Sequence, residues 1–420
     1  MNASSIASPV PVSSTTFEHI ADLERTYLLT TYNRYPVVLS RGKGVFLWDI
    51  EGRKYLDFVS GIGVNALGHA HPRIVKTIRE QAAKLVHVSN LYYHEYQGPL
   101  AEKLCALAAG GSGEKFRAFF SNSGTEAIEG SIKLARLAGH RAGGEAKCRL
   151  VALEGSYHGR TFGALSLTGQ DKHRKGFEPM LEGVTFVKQN DVESLRAAID
   201  DNTCAIVLEP IFGEGGIYEC TPEFLRECRA LADQHKAALI FDEIQCGLGR
   251  TGTIFAFQTF GVTPDIVAIA KPIAAGLPLG AFIAKEEFAS AISPGQHGTT
   301  FGGGPLACRV ALEFLAIVEE EKLLDNVKKV GAYLHEQLEG LVAKRNAAIG
   351  VRGRGFIQGI QLEIPARPIV DGGLAEGVLF NSTHDTVVRF LPPFLLEEKH
   401  VDKGIRVLKK LLARKKEKAA

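Results

Sequence analysis

From about residue 150 to 283 the chain alternates short apolar runs with helix-like stretches. CRLVALEG, GVTFVKQ, CAIVLEP, AALIFDE, DIVAIAK and LGAFIA read as strands buried on both faces, because their polarity is uniform rather than alternating. Residues 191–200 and 222–235, lying between such runs, read as helices. Strand–helix alternation of this kind predicts an α/β fold with a largely parallel sheet covered by helices. In such sheets ligands bind beyond the carboxyl ends of the strands.

The two flanks have a different texture. Up to about Gly63, VVLSRG and GVFLWDIEGRKYLDF form a hairpin-like pair turning at Gly42-Lys43-Gly44. Beyond Gly303, helical stretches give way to strand-like runs, GFIQGIQLE and TVVRFLPP. The expected division is a disordered arm over 1–18, a large domain over 65–303, and a smaller α+β domain assembled from 19–64 and 304–420. The arm, MNASSIASPVPVSSTT, is Ser-rich, lacks Arg and has no long apolar core, so it fits neither a secretory signal nor a transit peptide.

Composition narrows the class. A formal net charge of +2 provides no general pull toward nucleic acid or membrane. No apolar stretch approaches the roughly 20 residues needed to span a bilayer. Lys409-Lys410 and Arg414-Lys415-Lys416 read as a solvated helix end. The seven cysteines are scattered, odd in number and without CxxC, which favours a reducing cytoplasm over a disulfide framework. Cys220 and Cys228 lack zinc-ligand companions. His69 and His71, in GHAHP, have no evident third ligand, and a turn before Pro72 accounts for them without a metal.

The chemistry starts at AALIFDE, where five apolar residues run into Asp242 and Glu243. A buried carboxylate costs several kcal/mol unless a cation meets it. Lys271 follows DIVAIA at the end of another buried run, 29 residues after Asp242. Desolvation there lowers an amine's pKa and raises its nucleophilicity. An acid at one strand end and an amine at the next match pyridoxal phosphate chemistry. The lysine forms a Schiff base, and the acid keeps the pyridine nitrogen protonated so that the ring acts as electron sink. The cation expected at Asp242 is that pyridinium. Ser123-Gly124-Thr125, at the start of a helix after AFFSN, would present backbone N–H groups to a phosphate, although the same residues also make a good helix cap. Tyr157, just past CRLVALEG, offers an aromatic face.

Taken together, RGKGVFLWDIEGRKYLDF, GVNALGHAHP, SNSGTEAIEGSIKLAR, YHGRTFGALS, EPIFGEGG, FDEIQCGLGRTG, AKP, HGTTFGG and VVRFLPP resemble the class III (ornithine-type) aminotransferases, in order and at compatible spacing over nearly the whole chain. TTYNRYPVVLSRGKG, HVSNLYYHEYQ and FNSTHDTVVRFLPP are most similar to the acetylornithine-using branch. The resemblance implies a type I pyridoxal-phosphate fold and a homodimer with shared active sites. It implies Lys271 as the Schiff-base lysine and Asp242 as the pyridinium partner. Ser123, Gly124 and Thr125 would lie at the phosphate, Tyr157 on the ring, Gln245 at the phenolic oxygen and Glu243 among the cofactor contacts. Thr300 would reach the phosphate of the neighbouring subunit's cofactor. The chain departs from the family's usual residues at Phe212 (commonly Gln), Gly304 (Asn), Tyr157 (Phe) and Cys246 (Thr or Ala).

Two arginines bear on the substrate, because a guanidinium grips a carboxylate at two points. By the resemblance, Arg389 takes the α-carboxylate of glutamate or 2-oxoglutarate and Arg160 its distal one. Arg160 also takes the α-carboxylate of an acetylornithine-like donor. Glu214 would pair with Arg389 while the neutral end of that donor enters, and Tyr32 and Thr299 would be further substrate contacts. The expected activity is ping-pong transfer of a δ-amino group to 2-oxoglutarate. Ornithine, succinyldiaminopimelate, 4-aminobutyrate and acetyl-lysine are the alternative donors.

Overall fold

The apolar runs in the middle of the chain lie where both faces of a sheet are covered. The computed structural model describes residues 16–343 and 347–419. Its strands, in chain order, begin with β1 (Leu39–Lys43), β2 (Phe46–Asp49) and β3 (Lys54–Asp57). The middle of the chain supplies β4 (Phe116–Ser121), β5 (Arg149–Leu153), β6 (Val184–Val187), β7 (Thr203–Leu208), β8 (Ala238–Asp242), β9 (Ile266–Ile269) and β10 (Gly280–Lys285). The last are β11 (Ala348–Arg354), β12 (Ile357–Leu362), β13 (Val378–Leu379), β14 (Asn381–Thr383) and β15 (Val387–Phe390).

Strands β4 to β10 form a seven-stranded sheet in the order β4-β10-β9-β8-β7-β5-β6. From β9 to β6 every neighbouring pair is parallel. β10 runs antiparallel to both of its neighbours. The carboxyl ends of β4, β5, β7, β8 and β9 therefore share one edge.

Successive strand residues point to opposite faces, and the apolar runs feed two separate cores accordingly. Ile206, Leu208, Leu239, Phe241, Val267 and Ile269 join one cluster. Their neighbours Ala205, Val207, Ala238, Ile240, Ile266 and Ala268 join the other. The helix Gly124–Gly143 covers the second face with Ala127, Ile128, Ile132 and Leu134. Helices Pro222–Gln234 and Pro305–Glu320 bring Phe224, Leu225 and Phe314 to the first. Each large apolar side chain so buried contributes roughly 1.5–3 kcal/mol.

Two smaller sheets flank this one. In β1-β2-β3-β13, the late strand β13 pairs parallel with the early strand β3, so both ends of the chain share a sheet. The other, β11-β12-β15-β14, is antiparallel. Lys43 pairs with Phe46, which closes the first hairpin on Gly44-Val45 rather than on the expected Gly42-Lys43-Gly44. Gly44, at φ 57°, supplies the left-handed residue that the turn needs.

The expected arm needs one correction. Thr16 caps a helix, Phe17–Tyr27, by accepting from the His19 N–H at 3.3 Å, so residues 17 and 18 are helical. The rest of the arm, residues 1–15, lies outside the described residues. Lys409 and Lys410 are exposed on the helix Glu398–Ala419. Among the described residues no helix is long and apolar enough to cross a membrane, and no cluster of three metal-ligating side chains occurs. Nε2 of His69 donates to Oδ2 of Asp57 at 2.7 Å, an ordinary use of the first GHAHP histidine.

Candidate active site

The shared carboxyl edge of the central sheet opens into a cavity of about 420 Å³. Ser123, Gly124, Thr125, Tyr157, Arg160, Glu214, Asp242, Gln245 and Lys271 all line it. Register explains the pairing of acid and amine: Asp242 ends β8 opposite Ala268 of β9, and Lys271 stands two residues past the end of β9. Lys271 turns the chain at φ 44°, a left-handed conformation that costs a non-glycine residue about 1–2 kcal/mol. Burial, with the Arg389 charge as a lesser contributor, lowers its amine below the ordinary lysine range.

At the start of the Gly124–Gly143 helix, Oγ of Ser123 accepts from the Glu126 N–H at 3.3 Å. The Glu126 carboxylate in return accepts from the Asn122 N–H at 2.6 Å. This capping box leaves the first-turn amides of Gly124 and Thr125 for an anion, at the positive end of a 20-residue helix. A Cβ on Gly124 would sit 2.8 Å from the Ile244 side chain, so a larger residue would have to displace Ile244.

Asp242, 4% exposed, accepts from the Ile244 N–H at 3.0 Å on Oδ1. Its Oδ2 receives Nδ1 of His158 at 2.8 Å. A hydrogen-bonding partner for this acid thus exists within the chain itself, beside the cofactor nitrogen that the sequence leads one to expect. Burial works to lower the His158 pKa, but the hydrogen bond and charge of Asp242 outweigh it and the net shift is upward. Glu209, just past β7, accepts from the Tyr157 N–H at 2.8 Å and the Gly213 N–H at 2.9 Å. Burial, and then the Asp242 charge, push its carboxyl up to about 7. No local pattern marks His158 or Glu209. Each stands inside a quoted motif, YHGRTFGALS or EPIFGEGG, and only the fold brings them to Asp242.

Glu243 faces away from the cavity. Its two oxygens accept from the Ala256 and Phe257 N–H groups, each at 2.6 Å, and burial raises it to about 8. It caps the start of the short helix Phe257–Phe260, contrary to the expected cofactor contact, because adjacent strand-end residues point to opposite sides.

Arg389 on β15 is 1% exposed. Its Nε and Nη2 converge on Oδ1 of Asn381 at 3.1 and 2.6 Å. Its Nη1 reaches the Gly213 carbonyl at 2.7 Å, Oε1 of Glu214 at 2.6 Å and Oε1 of Gln245 at 3.0 Å. Burial opposes ionisation of Glu214, yet the Arg389 charge prevails and holds its carboxyl below the usual range. Arg160 is exposed, its guanidinium 5.6 Å from the centre of the Tyr157 ring.

Three expected residues are not gathered here. Tyr32 is 74% exposed on the segment before β1. Thr299 accepts from Nδ2 of Asn122 at 3.3 Å, at the margin of the site, and Thr300 is exposed on the same loop. Of the departures, Phe212 is buried against Gly155 and Gly215, and Gly304 precedes the helix Pro305–Glu320 as its cap. In one cavity the chain thus offers an anion seat, a buried carboxylate and a desolvated amine. That donor set fits a phosphorylated ring with a basic nitrogen and a carbonyl group, as in pyridoxal phosphate.

The sequence profile of the class-III aminotransferases matches residues 28–412. The chain is 44% identical over 391 residues to the acetylornithine aminotransferase of Caldanaerobacter subterraneus, covering 93% of this chain and 98% of that one. It is 46% identical over 391 residues to that of Methanocaldococcus jannaschii, covering 93% and 97%. Among solved structures it is similar to the ornithine aminotransferase of Toxoplasma gondii, at a TM-score of 0.90 and 31% identity over 96% of each chain. A further structure of the Toxoplasma enzyme records partial occupancy of pyridoxal phosphate at its active site. The acetylornithine aminotransferase of Elizabethkingia anophelis is similar at a TM-score of 0.84 and 31% identity, over 96% of this chain and 100% of that one.

Proposed function

The chain belongs to the class-III aminotransferases, and from that premise we propose that it passes the δ-amino group of N2-acetylornithine to 2-oxoglutarate in a ping-pong cycle. The observation that carries the reading is the pairing of buried Arg389 with partly exposed Glu214, at 2.6 Å, beside the amine of Lys271. Such a pair suits a site that must accept both a dicarboxylate and a donor with one neutral end.

The enzyme depends on pyridoxal phosphate. Gly124 and Thr125, with Ser123, would hold its phosphate, Tyr157 its ring face, Asp242 its pyridine nitrogen, Gln245 its phenolic oxygen and Lys271 its aldehyde carbon. When bound, the group supplies the electron sink and carries the amino group between substrates. Nζ of Lys271, as the free amine that its burial favours, takes the proton from the donor's amine-bearing carbon and returns it in the exchange. Asp242, held by Ile244 and His158, keeps its carboxylate aimed at the pyridine nitrogen. Arg160 grips the donor's α-carboxylate or the distal carboxylate of glutamate, and Arg389 the α-carboxylate of glutamate. Glu214 cancels the Arg389 charge when the acetylated end enters.

A cytoplasmic homodimer with shared sites completes the reading, with Tyr32 and Thr299 as substrate contacts and Thr300 reaching the cofactor of the partner subunit. Leu91, Tyr92, Tyr93 and Phe301 are strongly exposed. Nδ2 of Asn90 donates to the Thr299 and Gly302 carbonyls, which makes these side chains neighbours. Exposed apolar area of this kind supports a subunit interface at this place. Residues 19–64 and 304–420 act as one domain against 65–303, a division that β13 pairing with β3 supports.

A donor panel with 2-oxoglutarate as acceptor tests the substrate. Acetylornithine is expected to show the highest kcat/KM. A panel led by ornithine, succinyldiaminopimelate, 4-aminobutyrate or acetyl-lysine would replace the reading.

A further inference from the structure

Gln245 has a second role available besides the cofactor. Its Oε1 accepts from Nη1 of Arg389 at 3.0 Å, and its Nε2 donates to Oε1 of Glu214 at 3.2 Å. Oε1 of Glu214 also receives Nη1 of Arg389 at 2.6 Å, so guanidinium, carboxylate and carboxamide close a three-membered ring. The reverse orientation of the amide would set N–H against guanidinium and oxygen against carboxylate, so charge decides which way it faces. Gly213 leaves the room for it, since a Cβ there would lie 2.4 Å from Oε1 of Gln245.

The inventory of Arg389 shows where a substrate carboxylate must sit. Nε and one hydrogen of Nη2 are taken by Asn381, and Nη1 serves Gly213, Glu214 and Gln245. Asn381 and the Gly213 carbonyl are structural acceptors that orient the group. The Glu214 side chain, partly exposed, is the acceptor free to leave. Its carboxylate therefore stands in for the ligand's, and the second hydrogen of Nη2 remains to complete a two-point grip.

We propose that Gln245 is a substrate contact, its Nε2 donating to whichever carboxylate occupies Nη1 of Arg389, that of Glu214 or that of the incoming dicarboxylate. The proposal rests on the reading of Arg389 and Glu214 as the discriminating pair. Its consequence is a masked residue. Beside Glu214, loss of the amide weakens competitor and ligand alike. Without Glu214, the loss falls on the ligand alone.

Four holoenzymes test this: wild type, Gln245→Met, Glu214→Ala and the double variant. Each is titrated calorimetrically at saturating cofactor with glutarate, a dicarboxylate with no amino or keto group to exchange, so the readout is independent of turnover. E214A is expected to bind glutarate more tightly than wild type. Q245M is expected to shift Kd by less than about threefold beside Glu214, but to weaken it on the order of tenfold or more in the E214A background, the worth of one hydrogen bond to a charged group. If Q245M tightens glutarate beside Glu214 and is silent in E214A, Gln245 merely latches Glu214 and the contact is overturned. Silence in both backgrounds overturns it as well. If E214A itself fails to tighten glutarate, the discriminating pair is refuted, a failure visible before Gln245 is touched. Should Q245M lose cofactor, Gln245→Glu replaces it. That variant keeps the shape but puts a carboxylate on Arg389, and is expected to abolish the gain seen in E214A.

Discussion

Arg389→Ala removes the guanidinium at the junction of both substrates' requirements. Alanine leaves the Asn381, Gly213, Glu214 and Gln245 acceptors facing a void. It also leaves Glu214 without its counter-charge. Removing one member of a buried, hydrogen-bonded charge pair costs about 2–5 kcal/mol, or roughly 30- to several-thousand-fold in specificity. That loss falls on the glutamate/2-oxoglutarate half-reaction, where Arg389 itself holds a carboxylate. In the acetylornithine half-reaction Arg389 is cancelled by Glu214, and a loss of about tenfold or less is expected, near the worth of one ordinary hydrogen bond. Arg160→Ala, by contrast, is expected to damage both, since each substrate uses it. Single-turnover kinetics of each half-reaction, followed by the absorbance of the bound cofactor, measures the two losses separately. Equal losses for Arg389→Ala would refute the reasoning. The same substitution also has a pH signature. The Glu214 carboxyl is held below its ordinary range by Arg389, so its contribution to stability is present above the unfolded value of about 4.3 and lost as pH falls through the folded one. In Arg389→Ala burial is opposed only by the Lys271 charge and the Gln245 hydrogen bond, so this contribution shrinks. Urea unfolding across that window is expected to show the wild type losing its advantage over the variant as pH falls.

Lys271→Ala is expected to abolish transamination with the fold intact, and borohydride reduction of wild-type holoenzyme with peptide mapping should label Lys271; a label on any other lysine sinks the assignment. Asp242→Asn is expected to keep some cofactor while losing turnover by orders of magnitude, and near-wild-type rates would refute its pairing with the ring nitrogen. Glu243, raised to about 8 by burial, keeps in the folded state a proton that the unfolded chain releases above about 4.3; stability from this group therefore declines from there to about pH 8, and Glu243→Gln should flatten that slope in urea titrations. The same variant sets an NH₂ against one of the two amides that Glu243 caps, at a cost of about 1–3 kcal/mol at neutral pH. Arg250 is fully buried and donates to the Gly63, Phe356 and Pro392 carbonyls and to Oγ of Ser60; Arg250→Met is expected to lower stability by about 3–5 kcal/mol, and a Tm unchanged by the substitution would show those carbonyls to be satisfied otherwise.

Local pattern alone determined the buried parallel strands at the centre of this protein. Runs such as AALIF and DIVAIA have no polar alternate, so they can be stable only with both sheet faces covered, and helical stretches between them require parallel crossovers. The same logic made Asp242 and Lys271 conspicuous, because each interrupts an apolar run where a charge needs a reason. What no window of sequence carries is the choice of face and of distant partner. Asp242 and Glu243 are equivalent acids in the chain, yet one faces the cavity and the other caps the Ala256 and Phe257 amides. His158 meets Asp242 across 84 residues, and Gly213 and Gln245 meet Arg389 across 176 and 144. Such contacts depend on strand order, β7 beside β8 beside β9, with the sheet containing β15 docked over their ends. Hydrophobic periodicity is a property of neighbours along the chain, and it specifies the elements. The partners of a buried charge are decided by desolvation in three dimensions, which forces each ion to find compensation wherever the packed elements bring it.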